Sequence, residues 1–202
     1  MRVALVRCDN LPSWEVDDRP LEEALAGVEV VRPSWTDPAF DWAGVDGVLI
    51  RTTWDYVERH EAFLAWVERV AEVTALWNPP EVVRWNLCKR YLRDLEARGV
   101  PLAPTVWLGE ASGVDVEGVM GAMGWERGFL KPLVGASASG TLRFDRGDPR
   151  AQRHVAGDGG WMLQPYLPSV EEEGELSAIV VEGRVTQDRK STRLNSSHLV
   201  IS

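Results

Sequence analysis

Soft metal ligands are scarce in this 202-residue chain, which has two cysteines and three histidines. Cys8 and Cys88 stand in no CxxC or Cys/His spacing, which excludes a zinc module and a disulfide framework and leaves two buried thiols as the expectation. Long apolar runs are missing too: no stretch could span a bilayer, and the opening MRVALVRCDN lacks the charged-then-apolar layout of a secretory leader. A cytoplasmic protein without a membrane partner is expected. Positive charge is in deficit, with 22 Lys and Arg against 31 Asp and Glu, a net charge of -9 and a pI near 4.9. No basic stripe interrupts that balance, so neither nucleic acid nor an anionic membrane is an expected partner. Internal repeats are also absent.

What remains is an ordinary soluble composition, 45% hydrophobic and 26% charged, long enough for one large domain or two small ones. Its ten tryptophans are spread from Trp14 to Trp161 rather than striped, so most are expected in cores or pocket walls.

The last residues, DRKSTRLNSSHLVIS, break with the acidic, tryptophan-rich chain before them and have no helix or strand period. One choice of codons for residues 188–198 resembles the adapter ligated to fragments in short-read DNA sequencing, and Gln187 could be a chimeric codon. Residues 188–202 are therefore read as a non-native tail and set apart from the fold. On that reading the gene was cut in mid-strand near Thr186, and the natural protein is expected to be longer. A disordered native tail is the alternative.

Along the rest of the chain, residues 3–6 (VALV) read as a buried parallel strand, 20–26 as a helix stopped by Gly27, and 28–31 and 47–50 as further strands. That order suggests an open α/β domain whose strand ends bring the loops LPSWEVDD and RTTWDY to one edge. Arg51 and Asp55 in the second loop are candidates for holding a polar small molecule, or they simply pair with each other. Residues 61–74 carry Phe63, Trp66, Val67, Val70 and Val73 on one helical face. After the prolines of NPPEVVRW, Asn86 is an N-cap candidate for a helix with Leu87, Tyr91, Leu92 and Leu95 as its buried stripe, ended by Gly99 and Pro101. Lys89 would sit about 200° round from Leu87, away from that stripe. Beyond Pro101 a second, α+β unit is expected: strands near Thr105, Gly128, Thr141 and Trp161, a helix over 114–123, and a hairpin from Glu175 that turns at Glu182 and Gly183.

The stretch FLKPLVGASASGT poses the chemical question. Glycine and serine let backbone N–H groups approach an anion, and several in a turn make a phosphate nest. The 135–140 spacing is that of GxxxxG, but Thr141 and Leu142 stand where a P-loop needs Lys and Ser or Thr. Here the lysine, Lys131, precedes the loop. Alone, such a loop is more often a surface hairpin than a site.

Taken in order, WNLCKRYL, FLKPLVGASASGT, QPYL and GELS resemble the ATP-grasp superfamily, closest to its glutathione-synthetase-like branch and, within it, to the O-ureido-serine cyclo-ligase type. The resemblance covers nearly all of residues 1–187 and includes LPSWEVDDRPL, RTTWDY and NPPEVVRWNLCKRYLRDL. It implies an N-terminal open parallel-sheet domain over 1–86, and an incomplete ATP-grasp domain over 87–187 with a lid at about 101–163 and the start of a C-terminal subdomain at 164–187. It further implies a carboxylate–amine or cyclo-ligase that uses ATP and Mg2+ to make an acyl phosphate from small-molecule substrates. Lys89 and Lys131 match the lysines on the ATP phosphates, and Gly135, Ser137, Ser139 and Gly140 match the lid over them. Gln164, Tyr166 and Leu167 match the hinge at the adenine edge, and Glu175 the acceptor for the ribose hydroxyls. The magnesium ligands are expected beyond residue 187, so this chain alone is expected to be inactive; a non-catalytic nucleotide-binding or regulatory protein of the same fold is the alternative. Glu171, Glu172 and Glu173 read as a solvated acidic turn.

Overall fold

A computed structural model describes residues 1–12, 18–109, 114–135, 139–156, 160–172 and 175–191, without the side chains of 170, 175–177 and 186–191. The chain divides into two compact units, Met1–Tyr91 and Leu92–Ser202.

The first unit is built on β1 (Arg2–Arg7), α1 (Arg19–Ala24), β2 (Glu29–Val31), β3 (Gly47–Thr52), α2 (His60–Ala71) and β4 (Leu76–Trp77). The strands form a parallel sheet in the order β2-β1-β3-β4. Central β1 is buried on both faces, which is why VALV is apolar without alternation. On α2 the buried residues are Phe63, Trp66, Val67 and Val70, a 3.6-residue stripe. Trp35, Trp42, Phe63 and Trp66 meet edge-on or stacked at 5.2–6.3 Å between ring centroids; Trp35 and Trp66 are core, and Trp42 packs against them half-buried. Trp54 and Trp77 are exposed. Trp77 lies against β3 where only a glycine leaves room, since a Cβ at Gly47 would overlap its ring.

Asn86 does not begin a helix. Pro80 is the first residue of α3 (Pro80–Leu87), where a proline costs nothing because its missing N–H would have no partner anyway. Asn86 falls in the last turn of α3, Cys88 adopts an extended conformation that ends it, and α4 (Tyr91–Ala97) starts afresh. Lys89 therefore lies in the turn between two helices rather than on a helix face.

The second unit contains β5 (Val106–Leu108), α5 (Val116–Met123), β6 (Arg127–Pro132), β7 (Leu142–Asp145), α6 (Pro149–His154), β8 (Trp161–Pro165) and α7 (Ser169–Glu172). Its antiparallel sheet runs β5-β8-β6-β7. Leu108, Leu130, Phe144 and Leu163 point to one face and pack with Val116 and Met120 of α5 and Ala151 of α6. Helix α6 was not foreseen, although Asp148 and Pro149 carry the signal: the Asp148 side chain accepts from Arg150 N at 2.9 Å and proline fills the first helical position. A separate hairpin joins β9 (Glu175–Val181) to β10 (Arg184–Ser191) through Glu182 and Gly183, both at positive φ. The ladder includes Asp188 to Ser191, residues the sequence placed outside the fold, because backbone pairing tolerates almost any side chain. Among the described residues, no helix is long and apolar enough to cross a membrane.

Candidate functional site

Strand alternation decides which face of the second sheet can meet a ligand. Leu130 is in the core, so Phe129 and Lys131 project from the opposite face, and the Lys131 ammonium lies 5.7 Å from the Phe129 ring centroid. Residues directly across an antiparallel pair share a face, so Met162 (opposite Lys131), Gln164 (opposite Phe129) and Arg143 (opposite Phe129 on β7) join them. Gln164 donates from Nε2 to Thr105 Oγ1 at 2.8 Å, which ties its side chain to the chain entering β5. The structure thus gathers Lys131 and Gln164 on one face of one sheet.

The loop after β6 is pinned at both ends. Leu133 N donates to Gly160 O at 3.1 Å, and the His154 ring Nε2 hydrogen-bonds Gly140 O at 2.7 Å while the same ring packs 4.7 Å from Trp161. Gly140 has φ of 70°, and a Cβ there would sit 3.2 Å from Pro132, so glycine is needed for both reasons. Gly135 is half-buried, whereas Ser139 and Gly140 are exposed; Ser137 lies outside the described residues. His154 is a residue the sequence reading missed, because its partner is fourteen positions away in a loop.

Beyond β8, Tyr166 N donates to Arg127 O at 2.9 Å, which extends the β6–β8 ladder by one step, and Leu167 follows, exposed. The Tyr166 ring centroid is 4.2 Å from the Arg127 guanidinium and 4.5 Å from that of Arg143. Its buried hydroxyl makes no hydrogen bond of ordinary geometry, yet its interaction with the Glu171 carboxylate dominates its ionisation and raises the phenol pKa. The same interaction, with Arg143 beside it, lowers that of Glu171. Glu171 pairs with Arg143 at 2.8 Å, so it is not simply a solvated acid of the turn. Glu173 and the Glu175 side chain lie outside the described residues.

In the first unit, polar side chains collect at the carboxyl ends of the parallel strands, where open α/β sheets hold ligands. Arg51 and Asp55 do not pair with each other. Arg51 Nε donates to Asp18 at 2.6 Å, and Asp18 is buried; Asp55 accepts from Trp35 Nε1 at 2.7 Å and pairs with Arg59. The reason is reach across the sheet edge: each meets a residue from another loop. Nearby, Thr36 Oγ1 donates to Asp9 Oδ2 at 2.5 Å and contacts Ser34 Oγ at 2.7 Å; hydrogen bonding to Asp9 from Thr36, and next from Ser34, holds its carboxyl below the usual pKa. The buried Thr52 hydroxyl has no hydrogen-bond partner. Residues 13–17 of the neighbouring loop lie outside the described residues. Among the described residues, no group of three or more His, Cys, Asp or Glu could hold a metal ion.

Residues 3–78 match the family model for the N-terminal domain of D-cycloserine synthetase DcsG. The chain is 37% identical over 180 residues to the cycloserine biosynthesis protein DcsG of Streptomyces lavendulae, covering 84% of this chain and 60% of that one. A crystal structure of D-cycloserine synthetase DcsG superposes with a TM-score of 0.85 at 33% identity, over 93% of this chain and 67% of the other. The RimK domain ATP-grasp protein of Sphaerobacter thermophilus DSM 20745 shares the fold at 22% identity and a TM-score of 0.61, over 83% and 65% of the two chains. The chain belongs to the ATP-grasp superfamily. Its mixed α/β architecture, a parallel sheet followed by an antiparallel one, is that of its ATP-grasp neighbours. It spans 60% of the length of the curated relative it matches.

Proposed function

We propose that this chain carries the nucleotide-binding part of an ATP-dependent ligase that joins a small-molecule carboxylate to an amine, between two molecules or by ring closure. In that reaction a carboxylate oxygen attacks the γ-phosphorus and ADP leaves; the amine nitrogen then adds to the acyl carbon and inorganic phosphate leaves. Catalysis of this kind is mostly positioning and charge neutralisation. The observation that carries the reading is Lys131, on the sheet face opposite the helices, at the strand end that opens into the pinned glycine-rich loop of an ATP-grasp chain. That arrangement fits a triphosphate: an ammonium, and a turn whose small residues let backbone amides come close.

In this reading Lys89 and Lys131 contact phosphates, and Gly135, Ser137, Ser139 and Gly140 form the loop over them. The backbone of Gln164, Tyr166 and Leu167 meets the adenine edge, and Glu175 accepts from the ribose. Arg51 and Asp55, held by Asp18, Trp35 and Arg59, place the second substrate. The residues of the domains 1–86 and 87–187 would divide these tasks between substrate and nucleotide, in the cytoplasm where ATP is made. Among the described residues no group of three or more His, Cys, Asp or Glu could hold the magnesium ion such a reaction uses.

Calorimetric titration with ATP tests the phosphate site. Lys131→Ala removes a charge-assisted contact worth about 1.5–3 kcal/mol, or roughly 10- to 150-fold in affinity. Unchanged affinity rejects the site. In a protein extended to the length of its curated relative, ATP binding with no ADP released in the presence of acids and amines would favour the non-catalytic nucleotide-binding role instead.

A further inference from the structure

Two guanidinium groups on one aromatic ring repel each other unless each has its own anion. Around Tyr166 each does: Arg127 pairs with Asp145 at 3.2 Å and Arg143 with Glu171 at 2.8 Å, while Phe129 closes the cluster 5.7 Å from the tyrosine ring. These residues come from the start of β6, from β7 and from α7, so the cluster ties the segment after β8 to two strands and a helix. The segment is restrained on either side as well. Gln164 is held by its ladder to Phe129 and by Thr105, and Pro165 and Pro168 limit the backbone around Tyr166 and Leu167. Tyr166 N is already used by Arg127 O, which leaves Leu167 as the first residue past the ladder. A flat heterocycle that hydrogen-bonds to backbone there gains affinity only if that backbone is held in place beforehand.

We propose that Arg127, Arg143 and Glu171 are positioning residues for the nucleobase: through Tyr166 they hold the 164–167 backbone in the geometry that receives the base edge. The inference rests on the nucleotide reading above. It distinguishes two parts of one ligand, because the cluster acts on the base and leaves the phosphates to Lys131 and the loop.

The test titrates ATP and inorganic tripolyphosphate separately into the wild-type chain and into Arg143→Gln, Arg143→Lys, Tyr166→Leu and Glu171→Gln. ATP affinity should fall about tenfold in Arg143→Gln and Tyr166→Leu, a loss of about 1.4 kcal/mol, with tripolyphosphate affinity unchanged. Arg143→Lys, which keeps a cation over the ring, should retain affinity within about threefold. If Tyr166→Leu does not fold, Glu171→Gln, at a partly exposed side chain, carries the same expectation at smaller size. Unchanged ATP affinity in all four variants overturns the positioning role alone. An equal fall for ATP and tripolyphosphate overturns it too, since that is what general loosening of the unit would produce. A wild-type chain that binds neither ligand overturns the nucleotide reading and this role with it.

Discussion

Adding one methyl group at Gly128 should both destabilise the second unit and weaken nucleotide binding. Gly128 lies on β6 with its missing side chain aimed at the core, and a Cβ there would meet Gln164 O at 3.3 Å and Leu163 Cδ1 and Met120 Cε at 3.4 Å. The two side-chain ends can give way. The carbonyl cannot, because it is fixed in the β6–β8 ladder at the start of the 164–167 segment. The φ of Gly128 is one that alanine adopts freely, so the penalty is steric alone. Overpacking of this kind costs about 1–3 kcal/mol, offset by about 0.4–1 kcal/mol from the lower entropy of the unfolded chain. With both terms at mid-range the net loss is about 1.3 kcal/mol, equivalent to a fall in Tm of roughly 5–10 °C for a unit of this size. Urea unfolding followed by tryptophan fluorescence measures the first effect, and ATP titration under native conditions the second. A Gly128→Ala variant as stable as wild type would show that Gln164 O is not held where the ladder puts it. Lost stability with unchanged ATP affinity would separate the packing of β6 from the site.

Thr36→Val removes the hydrogen bond that contributes most to lowering the Asp9 pKa. A carboxyl whose native pKa is depressed stabilises the fold above its unfolded pKa, near 3.8, and loses that contribution as pH falls through the lower native value. The variant should therefore titrate Asp9 at higher pH by carbon-detected NMR and be less stable than wild type above about pH 4, with the gap closing as pH falls further; an unmoved Asp9 resonance would refute the assignment. Gly47→Ala should destabilise the first unit by about 1–3 kcal/mol, because its Cβ overlaps Trp77. Trp77→Ala in the same chain should relieve most of that, and an additive double variant would contradict the contact.

Much of the architecture is local enough to be written in short windows. VALV at the centre of the first sheet, the α2 stripe of Phe63, Trp66, Val67 and Val70, and the turn at Glu182 and Gly183 each follow from a period or a turn residue a few positions wide. Where two local signals competed, the sequence misled: Pro80 reads equally as a helix breaker or as a first helical residue, and the extended Cys88, not Asn86, separates α3 from α4. The order of lysines and the small-residue loop was also legible, and it led to the ATP-grasp superfamily before any coordinates. What tertiary structure alone decided are the long-range pairings. Arg51 meets Asp18 and Asp55 meets Trp35 and Arg59, although RTTWDY places Arg51 and Asp55 within reach of each other. His154 on Gly140, and the two arginines on Tyr166, likewise join elements whose sequence separation hides them. The physical reason is that hydrophobic period and turn chemistry specify which way a residue faces on its own element. Which partner stands opposite depends on strand order and register, set by the packing of the whole unit.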